Sequence, residues 1–172
     1  MAVDPLTLQD IPLLRTVALL TPPFASLTYA VPDWLAGFAW CPGLRVAVPL
    51  GRGMLRIGVV LGDGSPLPEG VTARPMLWPL EKEPLLPPGH MEMVRQLALR
   101  QAVTPGQILA MVLPAGLRVT QMRLRTMEGQ GKAQIRLLKD LPKLPVEVLS
   151  ALGEAWMRGG AELLGPREDA AA

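Results

Sequence analysis

The sequence predicts an α+β protein: a small antiparallel β-barrel-like domain over residues 12–116, capped by two short helices, then a helical, winged-helix-like domain over 118–165 and a linker or disordered tail over 166–172. Three observations carry this expectation. Strand-like alternation and glycine turns recur between Leu27 and Gly64. The apolar period lengthens from two to about 3.6 after Pro87-Pro88. A concentrated basic segment with helical spacing follows Gly129 and Gly131.

Taken in order, Arg15 to Leu20 reads as the first strand, stopped by Thr21-Pro22-Pro23, and Leu27 to Val31 as the second, closed by Pro32-Asp33. A loop from Trp34 to Pro42 leads into a hairpin of Gly43–Gly51 and Leu55–Leu61, whose Gly51-Arg52-Gly53 connection supplies the positive φ of a tight turn. Asp63 to Pro68 is dense in turn formers and reads as a loop. Arg74 to Leu80 is a last strand, pushed to an edge by Pro75 and Pro79. Met91, Val94, Leu97 and Ala98 fall at helical spacing, which predicts a helix over 89–103 with Pro88 near its start. A second helix runs from Pro105 to about Met111, with Thr104 as N-cap and Pro105 at the first helical position, and Leu113-Pro-Ala-Gly116 ends it. The two helices are expected to seal one end of the β module, because a five-stranded sheet otherwise leaves one apolar face bare. Beyond Gly131, Ala133 to Leu141 reads as an amphipathic helix, with Ile135, Leu138 and Leu141 on one face and Lys132, Arg136 and Lys139 on the other. Pro145–Leu152 and Gly153–Leu164 complete three short helices, the basis of the winged-helix or helix-turn-helix expectation.

Composition narrows the function classes. The chain has 172 residues, 49% of them hydrophobic, with mean hydropathy +0.29, which argues against disorder. No apolar run approaches the ~18 residues of a membrane span, and no basic segment precedes an apolar core at the N-terminus; the expectation is a cytoplasmic protein without a membrane partner. A single cysteine, Cys41, and a single histidine, His90, exclude an internal disulfide and a Cys/His zinc site within these residues. They also leave no material for a Ser/His/Asp or Cys/His catalytic set, so no catalytic residue is assigned. Net charge is only +2, but residues 116–143 carry seven basic against two acidic side chains, while residues 1–115 are balanced. A local basic block of that kind fits a phosphate-facing patch.

Within the hairpin, period-two geometry groups Leu44, Val46 and Val48 on one face and Arg45 with Ala47 on the other, leaving the second face available. Arg45, Arg52 and Arg56, with Lys132, Arg136 and Lys139 farther on, are the candidate phosphate-binding residues. Gly129-Gln-Gly131-Lys132-Ala133 invites comparison with a phosphate-binding P-loop. Thr126 stands where that motif needs its first glycine and Ala133 where it needs Ser or Thr, so the comparison fails.

The Gly43–Gly51 and Leu55–Leu61 hairpin, followed by Glu83-Pro-Leu-Leu-Pro-Pro88 and Leu113-Pro-Ala-Gly-Leu-Arg118, resembles the N-terminal region of the primosomal protein N′ (PriA) family, the bacterial replication-restart helicases. The resemblance covers residues 15–118. It implies a pocket for the 3′ end of a nascent DNA strand, built in the family from a Phe-Asp-Tyr triplet, the glycine closing the Val-Pro-x-Gly hairpin, and a lysine before the Glu-Pro segment. These fall here on Leu27-Thr28-Tyr29, Gly51 and Arg74. Tyr29 and Gly51 agree and Arg74 keeps the charge; Leu27 cannot stack as an aromatic does, and Thr28 lacks the carboxylate that would accept from a 3′-hydroxyl. On this set Tyr29 would stack on a terminal base, Gly51 would admit close backbone approach, and Arg74 would pair with the last phosphate.

The resemblance further implies binding of forked or single-strand-containing DNA for replication restart and primosome assembly, alongside single-stranded-DNA-binding protein and other primosome proteins. Full-length family members are ATP-dependent 3′-to-5′ helicases that use ATP, magnesium and zinc. Those regions lie beyond the last residue here, so this chain is expected to be a fragment or a truncated form that needs no cofactor and is not an enzyme. Two rivals stand beside this reading: a protein-interaction scaffold with minor DNA contact, and an enzyme with a cryptic site. Salt dependence of binding separates the first, because phosphate contacts release counterions; nucleotide binding by the purified chain tests the second.

Overall fold

The computed structural model describes residues 13–127 and 133–166. Its N-terminal half is a five-stranded antiparallel sheet in the order β2-β1-β4-β3-β5, formed by β1 (Leu14–Leu19), β2 (Ser26–Ala30), β3 (Arg45–Leu50), β4 (Met54–Asp63) and β5 (Trp78–Pro79). The expected hairpin pairs in register from Arg45↔Val59 to Leu50↔Met54. Its turn places Gly51 at φ +60 and Gly53 at φ +73, the left-handed backbone that the Gly-Arg-Gly connection was expected to supply. Only Trp78–Pro79 of the expected 74–80 strand pairs regularly, along the edge of β3, because proline removes ladder donors.

β2 and β5 stand at the two ends of the strand order, and one isolated bridge links β2 to the segment ahead of β5. The Ala30 amide donates to the Arg74 carbonyl and the Met76 amide donates to the Ala30 carbonyl, both at 2.9 Å. This parallel bridge ties the end of β2 to the segment that runs on into β5.

Two helices follow as the apolar spacing predicts: α1 (Pro88–Gln101), burying Met91, Val94 and Ala98, and α2 (Pro105–Val112). The first turn of α2 carries a full capping box. The Thr104 hydroxyl accepts from the Gln107 amide at 3.2 Å, and the Gln107 side chain accepts from the Thr104 amide at 2.9 Å.

The C-terminal part departs from the expectation of three helices. It is a second antiparallel sheet in the order β7-β6-β8, built from β6 (Arg123–Met127), β7 (Ala133–Leu137) and β8 (Ala161–Leu164), with one α-helix, α3 (Val146–Met157). A 3-10 helix, Leu138–Lys143, follows β7. The apolar spacing at Ile135, Leu138 and Leu141 therefore has two sources. Ile135 points outward from a strand and is 52% exposed, whereas Leu138 and Leu141 are fully buried, eclipsed three residues apart on the 3-10 turn. Pro142 and Pro145 stop any longer helix there. The last two expected helices merge into α3, which runs through Gly153 and ends where Gly159 adopts φ +83; the chain then enters β8.

Gly153 also explains how α3 seats. A Cβ there would lie 2.0 Å from the Trp34 carbonyl oxygen, so only glycine lets α3 rest on the 3-10 turn Asp33–Leu35 that follows β2. Trp156 from α3 meets Trp78 from β5 edge to face, centroids 6.1 Å apart. A single buried cluster runs from Val17 and Ile57 in the first sheet through Trp78 and Trp156 to Leu124 in the second.

Candidate nucleic-acid interface

Leu27, Thr28, Tyr29, Gly51 and Arg74 come from three separated segments: β2, the β3–β4 turn, and the stretch before β5. All five line one open pocket of about 420 Å³. Pro49, the proline of the Val-Pro-x-Gly hairpin, and residues 71–73 add to its walls; no motif marks 71–73, which run into the segment bridged to Ala30. Arg74 is exposed and donates to the Gly51 carbonyl at 2.5 Å, which fixes a cation at the pocket mouth. Thr28 adds a hydroxyl that both donates and accepts.

Tyr29 behaves differently from the expectation. Its ring is 4% exposed and belongs to the core, and its hydroxyl donates to the Pro49 carbonyl at 3.0 Å. It forms a wall of the pocket and offers little surface for a stacked base. Burial pushes its phenol pKa up, an effect partly offset by the positive charge of Arg74.

The candidate phosphate-binding residues divide. Arg52 is exposed at the tip of the hairpin. Arg45 is not available: it pairs with Glu81, and its guanidinium also donates to the Leu117 carbonyl at 2.6 Å, with 12% of its side chain exposed. The second face of β3 is equally closed, since Ala47 is fully buried. At Arg45 the cover is the Glu81 carboxylate and the segment that carries Leu117.

Lys132, Arg136 and Lys139 do not share a helical face. Lys132 lies outside the described residues, as do Gly129 and Gly131. Arg136 on β7 is half-buried beside Gln134, to which it donates at 2.6 Å, because strand alternation turns it opposite to Ile135 and Leu137. Lys139 sits on the 3-10 helix instead. There it joins Arg56 and Arg123 around a cleft of about 570 Å³ between the β3–β4 hairpin and the second sheet. Arg123 was missed among the candidates; its alternation with Leu124 and Arg125 was the available signal.

Among the described residues no group of His, Cys, Asp and Glu is arranged to hold a metal ion. No helix among them is long and apolar enough to cross a membrane. No curated protein matched the chain in a direct comparison. Residues 16–114 match the family model of the 3′ DNA-binding domain (3′BD) of PriA.

Proposed function

This chain belongs to the family of PriA 3′ DNA-binding domains, and from that premise we propose that it binds DNA with a free 3′ end, seating the terminal nucleotide in the pocket of Thr28, Gly51 and Arg74. The observation that carries this is the convergence of Leu27, Thr28, Tyr29, Gly51 and Arg74 on one pocket. Arg74 pairs with the last phosphate, the Gly51 turn lets backbone approach the nucleotide without a Cβ in the way, and the Thr28 hydroxyl meets the sugar. Leu27 packs against the base, and Tyr29 shapes the wall.

In this reading the chain works by recognition, not turnover, and needs no ATP, magnesium or zinc of its own. Its setting is forked DNA during replication restart and primosome assembly, beside single-stranded-DNA-binding protein. What supports that setting is the family. The exposed Arg52 and the cleft of Arg56 and Lys139 supply phosphate contacts outside the pocket.

Fluorescence anisotropy on matched forks differing only at the 3′ terminus tests the reading. Arg74→Ala should weaken binding to a free 3′-hydroxyl end by about 1.5 kcal/mol, roughly tenfold, and leave forks without an accessible 3′ end nearly unchanged. Equal losses on every DNA, or none on any, would reduce the pocket to part of the fold.

A further inference from the structure

The 3′-end pocket is not the largest concavity beside the β3–β4 hairpin. A groove of about 720 Å³ runs between the hairpin and the Leu137–Leu149 region, and it shares Pro49, Gly51 and Arg74 with the pocket. This volume falls within the range of ligand-binding clefts, about 300–1,000 Å³. At its other side it shares Gly53 to Leu55, Leu137 and Lys139 with the cleft that holds Arg56. The three concavities thus adjoin one another, with Arg74 between the first two and Lys139 between the last two.

The walls and rim of the groove differ in character. Its walls are apolar, with Trp34, Met54 and Leu137 among them. Its cations are Arg74, Lys139 and Lys143 against one acid, Asp140, which is paired with Lys143 at 2.7 Å. Arg74 and Lys139 therefore leave a net positive rim above an apolar floor. That combination suits single-stranded nucleic acid, whose bases seek apolar or aromatic surface while its phosphates seek cations. Beyond Lys139, the buried Arg56 Nε has no hydrogen-bond partner among the described residues, and this end of the path carries no acidic side chain in its lining.

Resting on the 3′-end reading, we propose that the groove binds the unpaired nucleotides that immediately precede the 3′ terminus. The strand bends over the Gly51–Gly53 turn, with bases against Trp34, Met54 and Leu137 and phosphates on Arg74 and then Lys139. The site is thereby shared between the two sheets, one supplying the terminus pocket and the other the far wall.

The test is a length series of single-stranded DNA with free 3′-hydroxyl ends, from dinucleotide through tetranucleotide to octanucleotide, measured by anisotropy and by tryptophan fluorescence. Affinity should rise beyond the dinucleotide, with quenching that is lost in Trp34→Phe. Lys139→Glu and Leu137→Asp, both at surface positions, should weaken the longer strands about tenfold, the order of one lost phosphate contact, and spare the dinucleotide. If both variants leave every length unchanged while Arg74→Ala still weakens binding, the groove proposal is overturned and the pocket stands. If Arg74→Ala is also without effect, both readings fall. A dimer that Leu137→Asp abolishes and DNA does not disturb would assign the groove to a second copy of the chain and overturn the proposal.

Discussion

Arg45 and Glu81 form a part-buried ion pair that closes the end of β3, with only 12% and 21% of their side chains exposed. The Glu81 carboxylate accepts from Arg45 Nε at 2.5 Å and from the Arg45 backbone amide at 3.3 Å. The same guanidinium reaches Leu117 at the end of the 3-10 turn Ala115–Arg118. One side chain thus ties the first sheet to the segment leading into the second.

Arg45→Ala is therefore a stability variant. Leaving Glu81 without its partner should cost on the order of 3 kcal/mol, at the low end for a broken buried pair because the pair is not fully enclosed. Urea unfolding should show the loss, while the folded fraction binds DNA with unchanged affinity. A stable Arg45→Ala chain with weakened DNA binding would restore the phosphate role that the sequence suggested.

Tyr29 makes stability depend on alkaline pH. Burial raises its pKa, so the folded chain holds the phenolic proton more tightly than the unfolded chain does. The contribution is complete below the ordinary tyrosine value of 10.0 and is lost as pH rises from there through the raised folded value. Tyr29→Phe gives up the hydrogen bond to Pro49, about 1 kcal/mol at neutral pH, but removes the ionising group. Its Tm should fall less steeply than that of the unaltered chain across the alkaline range; parallel falls would assign the dependence to other groups.

Gly153→Ala should destabilise the chain despite the better helix propensity of alanine. The propensity gain is about 1 kcal/mol, but the new methyl meets the backbone oxygen of Trp34, which cannot swing aside. Overpacking of that kind costs about 1–3 kcal/mol. Gly89, near the start of α1 with nothing within 4 Å of its Cβ position, is the control: Gly89→Ala should not lower Tm. Equal responses at the two sites would mean that α3 is free to shift.

Thr28→Asp should sharpen the choice between a 3′-hydroxyl and a 3′-phosphate. A carboxylate in the pocket accepts from the hydroxyl and repels the phosphate, whereas the threonine hydroxyl does neither strongly. Anisotropy on strands differing only in the terminal group should show the ratio of affinities rising several-fold, about 1 kcal/mol. An unchanged ratio would place the terminal sugar away from β2.

The first sheet was legible because its local signals agree with its tertiary environment. The β-branched runs of Arg45–Leu50 and Leu55–Leu61, the Gly-Arg-Gly turn and the Thr104-Pro105 cap each act over a few residues, and the strands, turn and cap they predict are in the structure, although the strands are buried on both faces where alternation predicted one open face. The second sheet was not legible because its short strands adjoin a 3-10 turn whose leucines continue their apolar spacing. Ile135, Leu138 and Leu141 imitate a helix across the junction between a strand and a 3-10 turn. The alternation in Arg123–Met127 and Ala133–Leu137, on either side of Gly129-Gln130-Gly131, was the signal that outweighs that spacing. At the site, position within the family motif, with only Tyr29 and Gly51 agreeing in identity, named five residues that line one pocket. It could not tell that Arg45 is already paired or that Tyr29 is buried, since both depend on Glu81, Leu117 and Pro49, far away in the chain.

The bridge at Ala30 has a kinetic consequence. Its two hydrogen bonds fix the backbone of Arg74 to the strand that carries Leu27, Thr28 and Tyr29, so opposite walls of the pocket share one rigid frame before any ligand arrives. A pre-organised receptor loses little conformational freedom on capture. Association with a strand terminus should then proceed in a single fast phase, and differences among termini should be written in the residence time of the complex.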